Sequence, residues 1–167
     1  MKKIIPILFL LSLIACNRTP VIENEQESDQ SRLEESLLNA NKYIAQSEET
    51  QIDGYISRRG WKMQQITCGA RYEEYTVGKG PMIDYEDKVT LKYSVGSING
   101  TTLYENQTEQ VVVGRGKPNV GLDAVLRHLH RGSTAHVILP SESAYGVVGD
   151  GDRIGSRMIL VYDLTVE

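Results

Sequence analysis

Beyond Gly60 the chain is built from short segments in which apolar and polar residues alternate with a period of two, the pattern of β-strands that bury one face. These segments are residues 61–66, 70–77, 87–98, 101–104, 109–113, 133–139 and 158–166. Asn99-Gly100 lies between two of them and predicts a tight hairpin. A single helical stripe interrupts the alternation, formed by Leu122, Val125, Leu126 and Leu129. Many antiparallel strands around one short helix predict an α+β domain over residues 61–167.

The N-terminus has the pattern of a secretory signal. Lys2 and Lys3 precede an apolar run over residues 4–14, which is too short for a membrane-spanning helix of about 20 residues. The run ends in Leu13-Ile14-Ala15-Cys16 and resembles a bacterial lipobox. That resemblance implies a lipoprotein signal peptide over residues 1–15 and lipidation of Cys16. The alternative is an ordinary signal peptide that is cleaved elsewhere.

Lipidation would decide where the protein works. Two or three acyl chains on Cys16 would anchor the protein stably to a membrane, so we expect a lipid-anchored protein of the bacterial cell envelope. Asn17 follows the cysteine and is not the acidic residue that favours retention in the inner membrane of some bacteria. The expected location is therefore the outer membrane, facing the periplasm.

Two segments of different character precede the strands. Residues 16–30 are polar and acidic with almost no apolar side chain, which predicts a disordered tether. Residues 31–60 are expected to be helical. An apolar stripe made of Leu33, Leu37, Ala40 and Ile44 predicts one short helix that begins with a Ser31–Glu34 capping box. A second helix is predicted from Gln51 to near Gly60. Whether these helices lie against the domain or mediate self-association stays open.

The composition argues against nucleic acid as a partner and against a reactive thiol or a metal site. The formal net charge is −4, and no basic stripe accompanies the aromatic residues, so nucleic acid is not an expected partner. With Cys16 lipidated, Cys68 is unpaired, and it has no neighbouring histidine or lysine in sequence, so we expect it to be buried and unreactive. His128 and His130 are two positions apart on a helix and point to different faces. No metal and no cofactor are expected.

Four stretches carry a resemblance to a known family. They are Gly69–Pro81 with its Gly-x-Gly-Pro turn, Val89–Tyr93, Asn99–Tyr104 and Gly114–Tyr162, the last without a gap. Over residues 61–167 they resemble the FKBP-type peptidyl-prolyl cis-trans isomerases. The resemblance implies an FKBP-like antiparallel sheet wrapped on one short helix. Together with the lipobox, the chain is also similar to the gliding-motility-associated isomerase lipoproteins, a narrower match.

The resemblance also implies which residues form the site. It makes Tyr93, Tyr145 and Tyr162 the catalytic pocket walls. It makes six further residues substrate-binding, namely Leu103, Tyr104, Pro118, Asn119, Leu122 and Ile154. The backbone N–H of Asn119 would face the substrate carbonyl, and Ile154 would cap the bowl. A plainer interpretation of the tyrosines is that they are core or rim residues with hydrogen-bonded hydroxyls.

Some residues depart from the family's pattern. Leu122 stands where the family usually has tryptophan, Leu103 replaces a phenylalanine, Tyr104 replaces an acid, and Glu109 occupies an aromatic position. Exchanging tryptophan for leucine removes on the order of 100 Å² of contact, worth about 2–3 kcal/mol. Proline binding is therefore expected to be weakened.

Two function classes remain open. One is a foldase that isomerises X-Pro bonds of envelope proteins, and its partners are proline-containing polypeptide segments. The other is a non-catalytic module of the same fold that binds or supports an envelope complex, including a gliding-motility complex.

Overall fold

The computed structural model describes residues 23–167, with side chains from residue 29 onward. The predicted signal peptide, Cys16 and the first residues of the tether lie outside the described residues. The elements in chain order are α1 (Glu23–Arg59), β1 (Gln64–Gln65), β2 (Arg71–Thr76), β3 (Lys88–Ser97), β4 (Thr102–Val112), α2 (Val120–Leu126), β5 (Thr134–Leu139) and β6 (Leu160–Val166).

The six strands form one antiparallel sheet in the order β1-β2-β5-β6-β3-β4. Together with α2 this is the predicted FKBP-like α+β fold, which is confirmed. The predicted hairpin joins β3 to β4, where Gly100 adopts a φ of +90°. Its N–H donates to the carbonyl of Ser97 at 2.9 Å. A non-glycine residue would be strained at that φ.

The strand boundaries differ from the prediction at two places. Two segments predicted separately, 101–104 and 109–113, belong to the single strand β4. The residues between them are polar and exposed because β4 is an edge strand of the sheet, so no alternation marks them. The segment predicted over residues 61–66 contributes only Gln64–Gln65.

The main core lies between one face of the sheet and α2. Leu122, Val125 and Leu126 of α2 are fully buried against strand residues such as Val137 and Leu164. These strand residues come from the inward positions of the period-two pattern. The helix therefore packs across the sheet with the stripe that the sequence predicts.

A second apolar cluster covers the opposite face of the sheet. Ile52 and Tyr55 of α1 are buried there with Ile138 and Ile159, and Trp61 packs at its edge. The second predicted helix therefore lies against the domain. The compact unit that contains the sheet begins at Ala40, earlier than the predicted boundary at residue 61, because these helix residues bury apolar surface on it.

The N-terminal helical predictions need correction. One helix spans Glu23–Arg59 where two short helices were predicted, because Gln46–Thr50 contains neither proline nor glycine and helix formation continues through it. The helix is described from Glu23 onward, so residues 23–30 of the predicted tether are helical. Ser31 and Glu34 consequently lie inside the helix and not, as was predicted, at the start of a new one.

Residues 23–39 belong to a separate unit. Within its described part, Arg32 and Asp29 form an exposed ion pair at 3.9 Å. Leu33, Leu37 and Leu38 are exposed.

Candidate functional site

Two of the predicted pocket tyrosines meet on neighbouring strands. Tyr93 on β3 pairs with Leu164 of β6, which places Tyr162 two residues away on the same face of the sheet. The two rings lie 5.6 Å apart between centroids with planes inclined by 55°. Tyr162 is buried with 1% of its surface exposed, whereas Tyr93 is half-buried.

Asn119 connects this pair to α2. Its side-chain Oδ1 accepts a hydrogen bond from the N–H of Leu122 at 2.9 Å and caps the helix. Its Nδ2 donates to the hydroxyl of Tyr162 at 3.0 Å. The sequence predicted a role only for the backbone of Asn119, and neither side-chain role was predicted. The cap could have been found, since an asparagine directly before an apolar helical stripe is a helix-start signal.

Tyr145 lies in the turn after β5, close to Tyr93 and Tyr162. It is half-buried and packs against the main core. The turn approaches α2 closely, since the N–H of Gly121 donates to the carbonyl of Ser143 at 2.7 Å. A Cβ on residue 121 would lie only 2.7 Å from that oxygen, so the contact requires glycine.

The hydroxyls of Tyr162 and Tyr93 are held in the neutral form. Burial, with smaller contributions from Tyr145 and Tyr93, raises the pKa of Tyr162 far above its ordinary value, and the hydrogen bond from Asn119 offsets this only partly. Burial, reinforced by the carboxylate of Glu109, raises the pKa of Tyr93 to about 12. The Tyr93 hydroxyl donates to Glu109 Oε2 at 3.3 Å. Both phenols therefore remain protonated at physiological pH and act as donors or acceptors, not as bases.

Tyr104 braces the loop that carries Ile154. Its hydroxyl donates to Asp150 at 2.6 Å and lies 3.2 Å from a carboxylate oxygen of Asp152. The hydrogen bond to Asp150 is the main cause that raises the pKa of Tyr104 to about 12. Asp150 in turn accepts the N–H of Ile154 at 2.8 Å, and the guanidinium of Arg153 lies 5.2 Å from the Tyr104 ring centroid. The Tyr104 hydroxyl thus holds the loop.

The predicted bowl is filled by its own side chains. Leu122 is completely buried, and Ile154 and Leu103 are 4% and 7% exposed. The half-buried residues of the set are Tyr93, Tyr104, Pro118 and Tyr145. Seven of the nine predicted site residues lie in the main core or pack against it, and Asn119 is hydrogen-bonded to two of them. The four half-buried residues form a rim that solvent reaches. Leu122, the predicted floor, is not accessible to solvent.

Two cavities lie on the other face of the sheet, beside α1. One has a volume of about 470 Å³ and includes Ile44, Glu48, Cys68 and Ser141 in its wall. The other has a volume of about 490 Å³ and shares Ile44 and Glu48 with the first. Neither cavity could be predicted from the sequence, because both form only where α1 lies on the sheet.

In the part of the chain that the structure describes, the histidines and Cys68 form no metal site. His128 stacks on Tyr72, and His136 stacks on Trp61 at 4.0 Å. Within residues 23–167 no cluster of three histidine, cysteine or acidic residues is placed to hold a metal ion. Cys68 is half-buried, so the prediction that it is buried is only partly right, because it lies at the wall of a cavity.

The chain resembles known proteins in sequence and in fold. Residues 79–167 match the family model described as FKBP-type peptidyl-prolyl cis-trans isomerase. The structure of a peptidyl-prolyl cis-trans isomerase from Pseudomonas syringae pv. tomato matches with a TM-score of 0.62 and 23% identity, over 75% of this chain and 92% of that one. FkpA from Escherichia coli matches with a TM-score of 0.59 and 21% identity, over 87% of this chain and 70% of that one.

A plant domain shares the fold as well. The N-terminal domain of FKBP42 from Arabidopsis thaliana has a TM-score of 0.57 and 19% identity, over 63% of this chain and 89% of that one. A comparison with curated proteins finds no match. At such identities the structural likenesses establish the fold. Within the described residues no helix is long and apolar enough to cross a membrane.

Proposed function

We propose that this chain, which belongs to the FKBP-type peptidyl-prolyl cis-trans isomerase family, is an active isomerase of X-Pro bonds in bacterial envelope proteins. The observation that carries the proposal is the cluster in which Tyr162 contacts Tyr93 and accepts a hydrogen bond from Asn119 at the start of α2. A proline ring would lie at the rim of this cluster, against Tyr93 and Tyr145.

The chemistry needs no nucleophile. Rotating an amide out of its plane costs about 18–20 kcal/mol, so an isomerase must favour the twisted amide over the planar one. A dry apolar surface removes the water that stabilises the planar dipolar amide, and a fixed donor can hold the twisted carbonyl. Within the described residues the backbone N–H of Asn119 has no hydrogen-bond acceptor, which supports a role as that donor.

We propose that the activity is weak. Leu122 supplies less apolar surface than tryptophan, and its complete burial leaves a substrate proline only the rim residues. Transition-state binding is then limited to partial contacts with the half-buried tyrosines.

We also propose that the protein is tethered by lipid at Cys16 to the outer membrane and faces the periplasm. The support is the sequence Leu13-Ile14-Ala15-Cys16 after a short charged leader. Envelope proteins with X-Pro bonds would then be its substrates, which is the role that the resemblance to the gliding-motility-associated isomerase lipoproteins implies.

The test is the rate of cis-to-trans conversion of an X-Pro peptide whose trans form a protease cleaves. We expect a catalysed rate above the spontaneous exchange. Tyr93→Ala should lower kcat/KM roughly tenfold, because a lost aromatic contact of about 1.4 kcal/mol corresponds to a factor of ten. Tyr43→Ala is the matched control, since Tyr43 is 74% exposed on α1. A wild-type rate equal to the spontaneous one would refute the proposal.

The closed floor favours a second candidate function, a non-catalytic module that binds extended segments. In that case the rim would bind proline peptides without accelerating their isomerisation. Spectral changes at Tyr93 and Tyr145 on adding a proline peptide, with no catalysed rate, would select this function.

A further inference from the structure

Glu48 is a carboxylate that α1 buries against the turn preceding Tyr145. The residue is 7% exposed, and its Oε2 accepts the N–H of Ser141 at 2.8 Å. Its other oxygen accepts the hydroxyl of Ser141. Both donors belong to one residue, 93 positions further along the chain. Because a buried carboxylate is unfavourable unless it is hydrogen-bonded, this pair favours a single arrangement of α1 and the turn.

The turn that Glu48 holds is closed around Tyr145. The carbonyl of Ser141 accepts the N–H of Ala144 at 3.2 Å and that of Gly146 at 2.8 Å. These two donors are the neighbours of Tyr145 on either side. Ser141 is therefore the residue through which a displacement of the turn would reach Tyr145.

The opposite side of the turn rests on α2. The hydrogen bond from Gly121 to Ser143 links it to the helix that Asn119 caps, and Asn119 bonds Tyr162. The turn is thus supported from both faces of the sheet, by α2 on one and by Glu48 on the other. Only the support from Glu48 comes from outside the matched residues 79–167.

We infer that Glu48 is a positioning residue for Tyr145, so that α1 takes part in the site on the far side of the sheet. The effect on activity rests on the proposed isomerase function. The effect on the placement of Tyr145 does not.

The test compares Glu48→Ala with Glu49→Ala in the full-length chain. Glu49 is the next residue of α1, but its side chain is 55% exposed and bonds Arg71 at 3.2 Å, away from the turn. We would measure kcat and KM with an X-Pro peptide. We would also record ring resonances of carbon-13-labelled tyrosine, with that of Tyr145 assigned from Tyr145→Phe.

We expect Glu48→Ala to shift the Tyr145 resonance and to lower kcat/KM by roughly 10- to 100-fold, because a misplacement of about 1 Å can have an effect of this size. The loss should fall more on kcat than on KM, since orientation matters most in the transition state. Glu49→Ala should leave both readouts unchanged. Glu48→Gln keeps one acceptor oxygen and should recover most of the wild-type behaviour.

The inference is overturned if Glu48→Ala moves the Tyr145 resonance no more than Glu49→Ala does. If Glu48→Ala fails to fold, Ser141→Ala replaces it, because that change removes the hydroxyl donor and keeps the N–H. A smaller shift of the Tyr145 resonance in the same direction is then expected, and its absence overturns the inference. If the wild type is inactive but the resonance still moves, the isomerase proposal fails and the positioning role stands.

Discussion

The side-chain amide of Asn119 donates to the hydroxyl of Tyr162 at 3.0 Å while its oxygen caps α2 at Leu122. One residue thus sets the start of the helix and the position of the most buried tyrosine of the site. The helix, the sheet and the rim are coupled through it. Stability and site geometry should therefore respond together when it is changed.

Asn119→Ala should lower the free energy of unfolding by about 2 kcal/mol. About half comes from the lost cap and half from the lost hydrogen bond to a buried hydroxyl. Urea unfolding measures the change. Asn119→Asp keeps the capping oxygen, and the Tyr162 hydroxyl can donate to it, so its loss should be smaller. A loss below about 0.5 kcal/mol for the alanine variant would contradict the coupling.

Leu122→Trp tests whether the floor has room for the ring that the family usually places there. Leu122 is completely buried among well-packed neighbours, so the larger side chain should destabilise the fold by about 1–3 kcal/mol and give no gain in isomerase rate. Leu122→Met nearly conserves volume and should change stability by less than about 1.5 kcal/mol. An increased rate at unchanged stability would instead indicate unfilled space beneath the rim.

Lowering the pH should reduce the free energy of unfolding, because it protonates the carboxylate of Glu74. This carboxylate accepts hydrogen bonds from the Ser133 hydroxyl and the His130 N–H, and the His130 ring lies 3.1 Å away. Burial alone would raise the pKa of Glu74, but the hydrogen bonds and the charge of His130 outweigh it and hold the pKa below the usual 4.5. The stabilisation that Glu74 provides is therefore complete above the pKa that its carboxyl has in the unfolded chain. It is lost as the pH falls through the pKa that the carboxyl has in the folded protein.

The measurement for Glu74 is the urea midpoint between about pH 7 and about pH 3. Glu74→Gln should be less stable than the wild type at neutral pH, and the gap should narrow as the pH falls. Glu105→Gln, an exposed acid on β4, is the control and should follow the wild-type profile. A constant gap between Glu74→Gln and the wild type would rule out the assigned role.

Tyr104→Phe should loosen the loop that carries Ile154, because it removes the hydroxyl that bonds Asp150 at 2.6 Å. We expect faster amide hydrogen exchange at Asp152 and Ile154, with the rest of the sheet unaffected. Tyr43→Phe is the control on α1. If exchange in the loop is the same in both variants, the ring of Tyr104 and not its hydroxyl holds the loop.

Cys16→Ala tests the lipid anchor. The change removes the acceptor of the acyl groups, so the protein should move from the membrane fraction to the soluble envelope fraction or remain an uncleaved precursor. Fractionation followed by mass analysis of the N-terminus measures both outcomes. Unchanged processing and membrane partitioning would mean that the lipobox interpretation is wrong.

Several features of the fold follow from local sequence. The period-two segments place Tyr93 and Tyr162 on strands, Asn99-Gly100 marks the hairpin, and the stripe from Leu122 marks α2. Each of these depends on residues close together in the chain, where spacing alone determines which side chains share a face. The middle of the edge strand β4 was not predicted as a strand, because an exposed edge requires no alternation of apolar and polar residues between its two faces.

Tertiary structure alone decided the rest. The burial of Ile52 on the outer face of the sheet depends on which surfaces meet. The contact between Glu48 and Ser141 joins residues 93 positions apart, and nothing local to either one specifies the other. The closed floor beneath the rim likewise depends on how side chains from several elements fill one volume. Sequence periodicity therefore determined the elements and the faces of this protein, whereas long-range packing decided what supports Tyr145 and how much of the site is open.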